Sequence, residues 1–136
     1  TVTAQELDKN EVDEFTGKVK KITMEYETAK GATTTAMRFA NIGGTFGIYA
    51  YAYESLGCSG AVGNYIIFKF TDGTILRLED TAKVDCKDYC NSIFVFDPEL
   101  LEGKTIDKIR FRQSNGYDDA VWICEFNIQD FINVIR

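Results

Sequence analysis

Hydrophobic and polar residues alternate along most of this chain. "KKITMEYET" places Ile22, Met24 and Tyr26 on one side and Thr23, Glu25 and Glu27 on the other. "TAMRFA" sets Met37 and Phe39 against Arg38. "TFGIYAYAYES" puts Phe46, Ile48, Ala50 and Ala52 on one face, and Tyr49, Tyr51 and Tyr53 on the other. A period of two, with β-branched and aromatic residues between glycine breaks, is the pattern of strands.

The stretch "NYIIFKFTDGTILRLED" reads as a hairpin, and its turn can be chosen on register. A two-residue Asp72-Gly73 loop pairs Phe68 with Arg77 and mixes the faces. A three-residue loop, Thr71-Asp72-Gly73 with a left-handed glycine, pairs Phe68 with Leu76 and Ile66 with Leu78. Burial of one face favours the second.

Further strands follow at "SIFVF", "TIDKIRFRQ" (Ile109 and Phe111 against Arg110 and Arg112) and "AVWICEF" (Trp122, Cys124 and Phe126 aligned). "SNGYDD" reads as a turn. "DPELLEG" has an aspartate cap, Pro98 at the first helical position and Gly103 as terminator, which predicts a short helical turn at about 97–102. "NIQDFINVIR" spaces Ile128, Phe131, Ile132 and Ile135 by threes and fours, the period of a short C-terminal helix.

The sum is a mainly β chain of seven or so strands. The expected architecture is an antiparallel β-sandwich or partly closed barrel, with no helix placed for a parallel crossover. No repeat or composition shift marks a second domain. Residues 1–14 read as a flexible polar leader and 15–136 as a single β-rich domain. Val2-Thr3-Ala4 also fits the small-residue pattern before a signal-peptidase cut, which would make Gln5 the first mature residue.

Composition narrows the chemistry. The chain has 136 residues, 45% of them hydrophobic, enough for a core without disulfides. Its formal net charge of −6 opposes nucleic acid, and its basic residues are scattered apart from Lys18, Lys20 and Lys21. No apolar run approaches the length of a membrane span. There is no histidine, which excludes His-based acid–base catalysis, His-assisted nucleophiles and His-ligated metals. "GCSGAVGN" matches no phosphate-binding motif, and no cofactor motif is read.

The four cysteines offer three readings. With residues 66 and 78 paired, the same register extended outward sets Cys58 opposite Cys86, and Cys90 competes for either partner. Cys58, Cys86 and Cys90 are therefore the disulfide candidates, and Cys124 reads as a buried thiol between Trp122 and Phe126. Free structural thiols come second. A thiolate metal site comes third, because Cys86 and Cys90 form only one close pair of ligands. A redox pair is weaker still, lacking Cys-x-x-Cys spacing. Disulfides persist in oxidising compartments, in keeping with the signal-like start.

Tyr49, Tyr51 and Tyr53 are the candidate ligand-binding residues. If exposed, the row is a platform for sugars or peptides. The plainer alternative is that the tyrosines pack on the core or a second sheet. Asn115, Asp118 and Asp119 beside Tyr117 fall short of a calcium loop, and Asp85 and Asp88 near the cysteines are equally undistinguished. Among 21 acidic residues some pair always looks suited to glycoside hydrolysis, so a pair alone argues nothing.

"VDEFTGKVKKIT", "FKFTDGTILRL", "DPELLEG" and "IDKIRFRQSNGYDDAVW" with its apolar tail resemble a family of small exported β-rich domains from Gram-negative bacteria. The likeness touches most of the chain. It implies a β-rich fold and a periplasmic or cell-surface address, and carries no catalytic residues. The expected role is an exported, non-catalytic binding or structural domain for a glycan or envelope protein. The alternatives are a carboxylate-dependent hydrolase and a cytosolic thiolate-metal protein.

Overall fold

The computed structural model describes residues 7–29, 35–53, 58–59, 64–81, 85–86, 89–114 and 119–136. For residues 29, 52, 53, 58, 59, 85, 86, 89, 90, 114 and 119 it describes the backbone. The strands are β1 (Leu7–Val12), β2 (Val19–Thr23), β3 (Tyr26–Ala29), β4 (Thr35–Ile42), β5 (Thr45–Tyr53), β6 (Cys58–Ser59), β7 (Tyr65–Phe70), β8 (Ile75–Glu79), β9 (Asp85–Cys86), β10 (Tyr89–Phe96), β11 (Ile106–Ser114) and β12 (Asp119–Cys124). A 3-10 turn at Pro98–Leu101 precedes β11, and helix α1 (Ile128–Ile135) closes the chain.

All pairings are antiparallel and form two main sheets. The first runs β1-β2-β4-β5-β10, with β3 beside the other half of β4. The second runs β12-β11-β7-β8. β6 and β9 make a separate two-residue ladder. The expected hairpin register holds: Ile66 pairs with Leu78 and Phe68 with Leu76, and Gly73 takes φ +89° at the turn.

The inner faces meet in one core. The first sheet contributes Met37, Phe39, Ile48, Ala50, Phe94 and Phe96. The second contributes Ile66, Phe68, Phe70, Leu78, Ile109, Phe111, Trp122 and Cys124. Each fully buried phenylalanine side chain is worth roughly 2–3 kcal/mol relative to exposure. At one edge the Glu125 N–H donates to the Thr28 carbonyl at 3.0 Å; at the other the Thr81 N–H donates to the Ile93 carbonyl at 2.8 Å. These are local bridges between sheets, and the barrel does not close.

Helix α1 covers one end of the sandwich. Asn127 caps its start by accepting from the Gln129 N–H at 3.1 Å. Ile128, Phe131, Ile132 and Ile135 are buried. Its last carbonyls, which lack intrahelical donors, accept from Asn41 Nδ2 (to Ile135 O, 2.8 Å) and Lys21 Nζ (to Arg136 O, 2.9 Å). Gln129 Nε2 donates to the Leu101 carbonyl at 2.8 Å, tying the helix to the 3-10 turn. That turn is capped by Asp97, with Pro98 at its start, and Gly103 at φ +69° follows it.

Two expectations are corrected. Residues 7–12 belong to an edge strand, paired from Leu7↔Thr23 to Val12↔Val19, and not to a flexible leader. β1 is almost wholly exposed, so no burial pattern marked it. The run from Ile22 to Tyr26 is also not one continuous face. β2 pairs Ile22 with Ala40, whereas β3 pairs Tyr26 with Met37, a one-residue shift in register. Thr23 consequently points inward, fully buried, and its Oγ1 accepts from the Phe39 N–H at 2.9 Å. Ile22 falls on the opposite face from Tyr26, and Met24 is exposed. The split strands, the β6–β9 ladder and β1 raise the count above the expected seven. The turn expected at "SNGYDD" lies largely outside the described residues.

Candidate functional site

β5 is central in the first sheet, between β4 and β10. Ile48 and Ala50 are in the core, so alternation sends Tyr49 and Tyr51 to the outer face. Both are half-buried there. Their Cα atoms are two residues apart along a strand, roughly 7 Å. Tyr53 has the same strand parity, but its side chain lies outside the description.

The neighbours of the tyrosines follow from register. On one side Ala36 pairs with Tyr51, Arg38 with Tyr49 and Ala40 with Gly47. On the other, Asn91 pairs with Tyr51, Ile93 with Tyr49 and Val95 with Gly47. Alanine and glycine thus form a low floor from which Arg38 and the tyrosines rise. A Cβ at Gly47 would lie 3.5 Å from the Phe94 carbonyl oxygen, an ordinary van der Waals contact.

Tyr49 and Tyr51, with Asp8, Lys9, Ile22, Glu25 and Arg38, line an open depression of about 370 Å³. Arg38 organises its charged wall. Its Nη1 lies 2.9 Å from Asp8 Oδ2, and its Nε lies 3.9 Å from Glu25 Oε1. β1 and the β2–β3 break deliver those two carboxylates to one guanidinium. With Lys9, the wall carries two positive and two negative groups. Asn91, across from Tyr51, has a buried Oδ1 without a hydrogen-bond partner among the described residues. It is an acceptor at the border of the same face.

This geometry can stack a flat ligand and hydrogen-bond its polar edge. It does not offer two acids facing across a deep cleft, the arrangement glycoside hydrolysis needs, because Asp8 and Glu25 converge on Arg38. Two other depressions, about 390 and 470 Å³, include neither Tyr49 nor Tyr51.

The disulfide candidates are described by backbone. Cys58 is the register partner of Cys86 in the β6–β9 ladder, and Cys90 is that of Ala52 in the β5–β10 ladder. Cys124 is a buried free thiol. Burial pushes it up to about 11, partly offset by hydrogen bonds from Thr28 and Thr35. Those two hydroxyls bond each other at 2.8 Å. Among the described residues no group of three Cys, Asp or Glu side chains is placed to hold a metal ion. Of the other polar candidates near the turns, Asp85 and Asp119 are described by backbone alone, and Asp88, Asn115 and Asp118 lie outside the description.

The tyrosine row was readable from strand period alone. Asp8, Lys9, Ile22, Glu25 and Arg38 were not singled out. Arg38 showed one signal, a lone cation on the outer side of "TAMRFA"; its carboxylate partners became visible only through pairing across β1 and the β2–β3 break.

No family model, curated protein or solved structure matches the chain. No helix among the described residues is long and apolar enough to cross a membrane. The reading of function rests on the geometry of this face.

Proposed function

We propose that this chain is an exported, non-catalytic binding domain that takes a neutral glycan on the outer face of its first sheet. The observation that carries the reading is the pair Tyr49–Tyr51, side by side on a solvent-facing strand, against a wall of balanced charge. Aromatic rings supply rigid apolar contact to sugar faces at low entropic cost. Arg38, Lys9, Asp8 and Glu25 supply donors and acceptors for hydroxyls. Equal numbers of cations and anions select a neutral ligand over an acidic or amino sugar.

The address is part of the proposal. A disulfide among Cys58, Cys86 and Cys90 belongs in an oxidising compartment, periplasm or cell surface, after removal of a signal peptide. The resemblance to exported β-rich domains supports the same address.

The test is a glycan array probed with the full chain, followed by calorimetric titration of the best neutral oligosaccharide. Tyr49→Ala and Tyr51→Ala should each weaken binding at least tenfold while leaving the melting temperature nearly unchanged. An array with no neutral ligand, or binding indifferent to both substitutions, would overturn the glycan reading. Capture of an envelope protein that is lost with the same substitutions would replace it by a protein-binding role.

A further inference from the structure

The candidates Cys58, Cys86 and Cys90 allow three single bridges, and composition does not choose among them. Backbone register does. β7 and β8 pair with residue numbers that keep one alignment from Lys69↔Ile75 to Tyr65↔Glu79. The chain pairs again beyond that hairpin, at Ser59↔Asp85 and Cys58↔Cys86, in the same alignment. The two arms of the hairpin therefore carry equal lengths between the ladders, and the second ladder sets Cys58 directly across from Cys86. Opposed residues in an antiparallel ladder have Cα atoms about 4.5–5.5 Å apart, inside the range a disulfide spans. Cys90 has a different register partner: its backbone lies opposite Ala52 in the β5–β10 ladder, on a strand that runs close to both β6 and β9, so it is the competitor the test must separate.

A two-residue ladder has little stability of its own, since even a full isolated hairpin is marginal in water; here both of its strands also lie close to β10. The paired positions in it are a cysteine opposite a cysteine and a serine opposite an aspartate. A covalent link at the end of so short a ladder would hold the two arms of the hairpin together. We infer that Cys58 and Cys86 form a disulfide, with Cys90 and Cys124 left as thiols. Formation oxidises two thiols to one S–S bond. Two electrons and two protons pass to the disulfide of a glutathione-type or dithiol oxidant, which leaves as two thiols.

The bridge also lies close in the chain to the strand of the proposed binding face. β5 ends at Tyr53, paired with Tyr89, and β6 begins at Cys58, five residues later in the chain. The disulfide would therefore fix the chain five residues after the end of the tyrosine strand. This part of the inference rests on the proposed glycan reading; the pairing itself does not.

The test uses the full chain, reduced and then oxidised in a glutathione redox buffer, denatured, alkylated with N-ethylmaleimide and weighed intact. One bridge and two alkylated thiols are expected. Trypsin then separates the cysteines, because Lys87 lies between Cys86 and Cys90. A linked pair made of residues 39–69 and 84–87 supports the inference. A link from either of those peptides to 88–104, or four alkylated thiols, overturns it. Cys90→Ser should keep the bridge, and Cys58→Ser should abolish it. The bridged form should melt roughly 10 °C above the reduced form. Alkylation of protein taken directly from its host is a separate arm: free thiols there, with the 58–86 pairing intact in the buffer, would sink the exported address and leave the pairing standing.

Discussion

Phe39 of β4 and Phe131 of α1 lie face to face, their ring centroids 4.1 Å apart and their planes 17° from parallel. Tyr26 and Phe126 pack around the same ring, with centroids 5.3 and 6.2 Å from that of Phe131. An eight-residue helix is too short to persist alone in water. Its stability comes from this aromatic cluster and from the side chains that hold its last carbonyls. Phe131→Ala should therefore cost about 3–5 kcal/mol, read as a lower urea midpoint. Phe131→Leu keeps most of the volume and should cost clearly less. Equal effects would mean that the helix is held by its polar contacts.

Arg38 separates stability from recognition. Its side chain is 27% exposed, and the carboxylates it meets are 40% and 41% exposed. Ion pairs this open contribute about 0–1 kcal/mol. Arg38→Ala should leave the thermal transition within a few degrees of the parent. On the proposed reading it should still weaken glycan binding by roughly tenfold, because the guanidinium orders two carboxylates beside Tyr49. Loss of stability and binding in proportion would assign Arg38 a structural role.

The hairpin turn tests a conformational argument free of packing. Gly73 sits at φ +89°, and a Cβ added there would meet nothing within 4 Å. Any cost of Gly73→Ala is then backbone strain, about 1–2 kcal/mol for an L-residue forced into the left-handed region. Gly73→Asn should cost less, since asparagine tolerates that region better. Gly103, at φ +69° after the 3-10 turn, meets open space too and should behave alike. Chemical denaturation of the Ala and Asn variants at both positions checks the order.

The same hairpin shows why part of this fold was legible in advance. Its register follows from one local choice, a three-residue turn, and the alternating side chains confirm that choice at every pair. The C-terminal helix was legible for a similar reason, since four apolar residues at helical spacing need no distant partner to be recognised. The break between Ile22 and Tyr26 was not. Its period of two continues across the break in sequence, while the backbone shifts by one residue so that Thr23 can replace a ladder bond to the Phe39 amide. Local pattern contains no sign of that exchange. β1 was hidden by its exposure, and with it Asp8, one of the carboxylates at the binding face. Half of the candidate site was therefore readable as a tyrosine row. The other half exists only because an unpatterned edge strand reaches Arg38.

Cys124 gives a prediction in pH. Its thiol is pushed up to about 11 from an ordinary value of 9.0, first by burial, against weaker opposing hydrogen bonds from Thr28 and Thr35. Above pH 9 the unfolded chain releases this proton while the folded chain keeps it. The folded state then binds more protons, so stability must fall as pH rises. The contribution of this thiol is complete below about pH 9 and is lost progressively as pH climbs toward 11. A shift of this size corresponds to roughly 2–3 kcal/mol. Cys124→Ala removes the titrating group, so its stability should decline less between pH 9 and 11 than that of the parent. Urea unfolding of both proteins across that window measures the difference, and parallel declines would show that the thiol ionises as freely in the fold as in the open chain. The difference in absorbance near 240 nm between the native parent and Cys124→Ala, in which the other thiol and the tyrosines cancel, supplies an independent reading, and that difference should rise only as pH approaches 11.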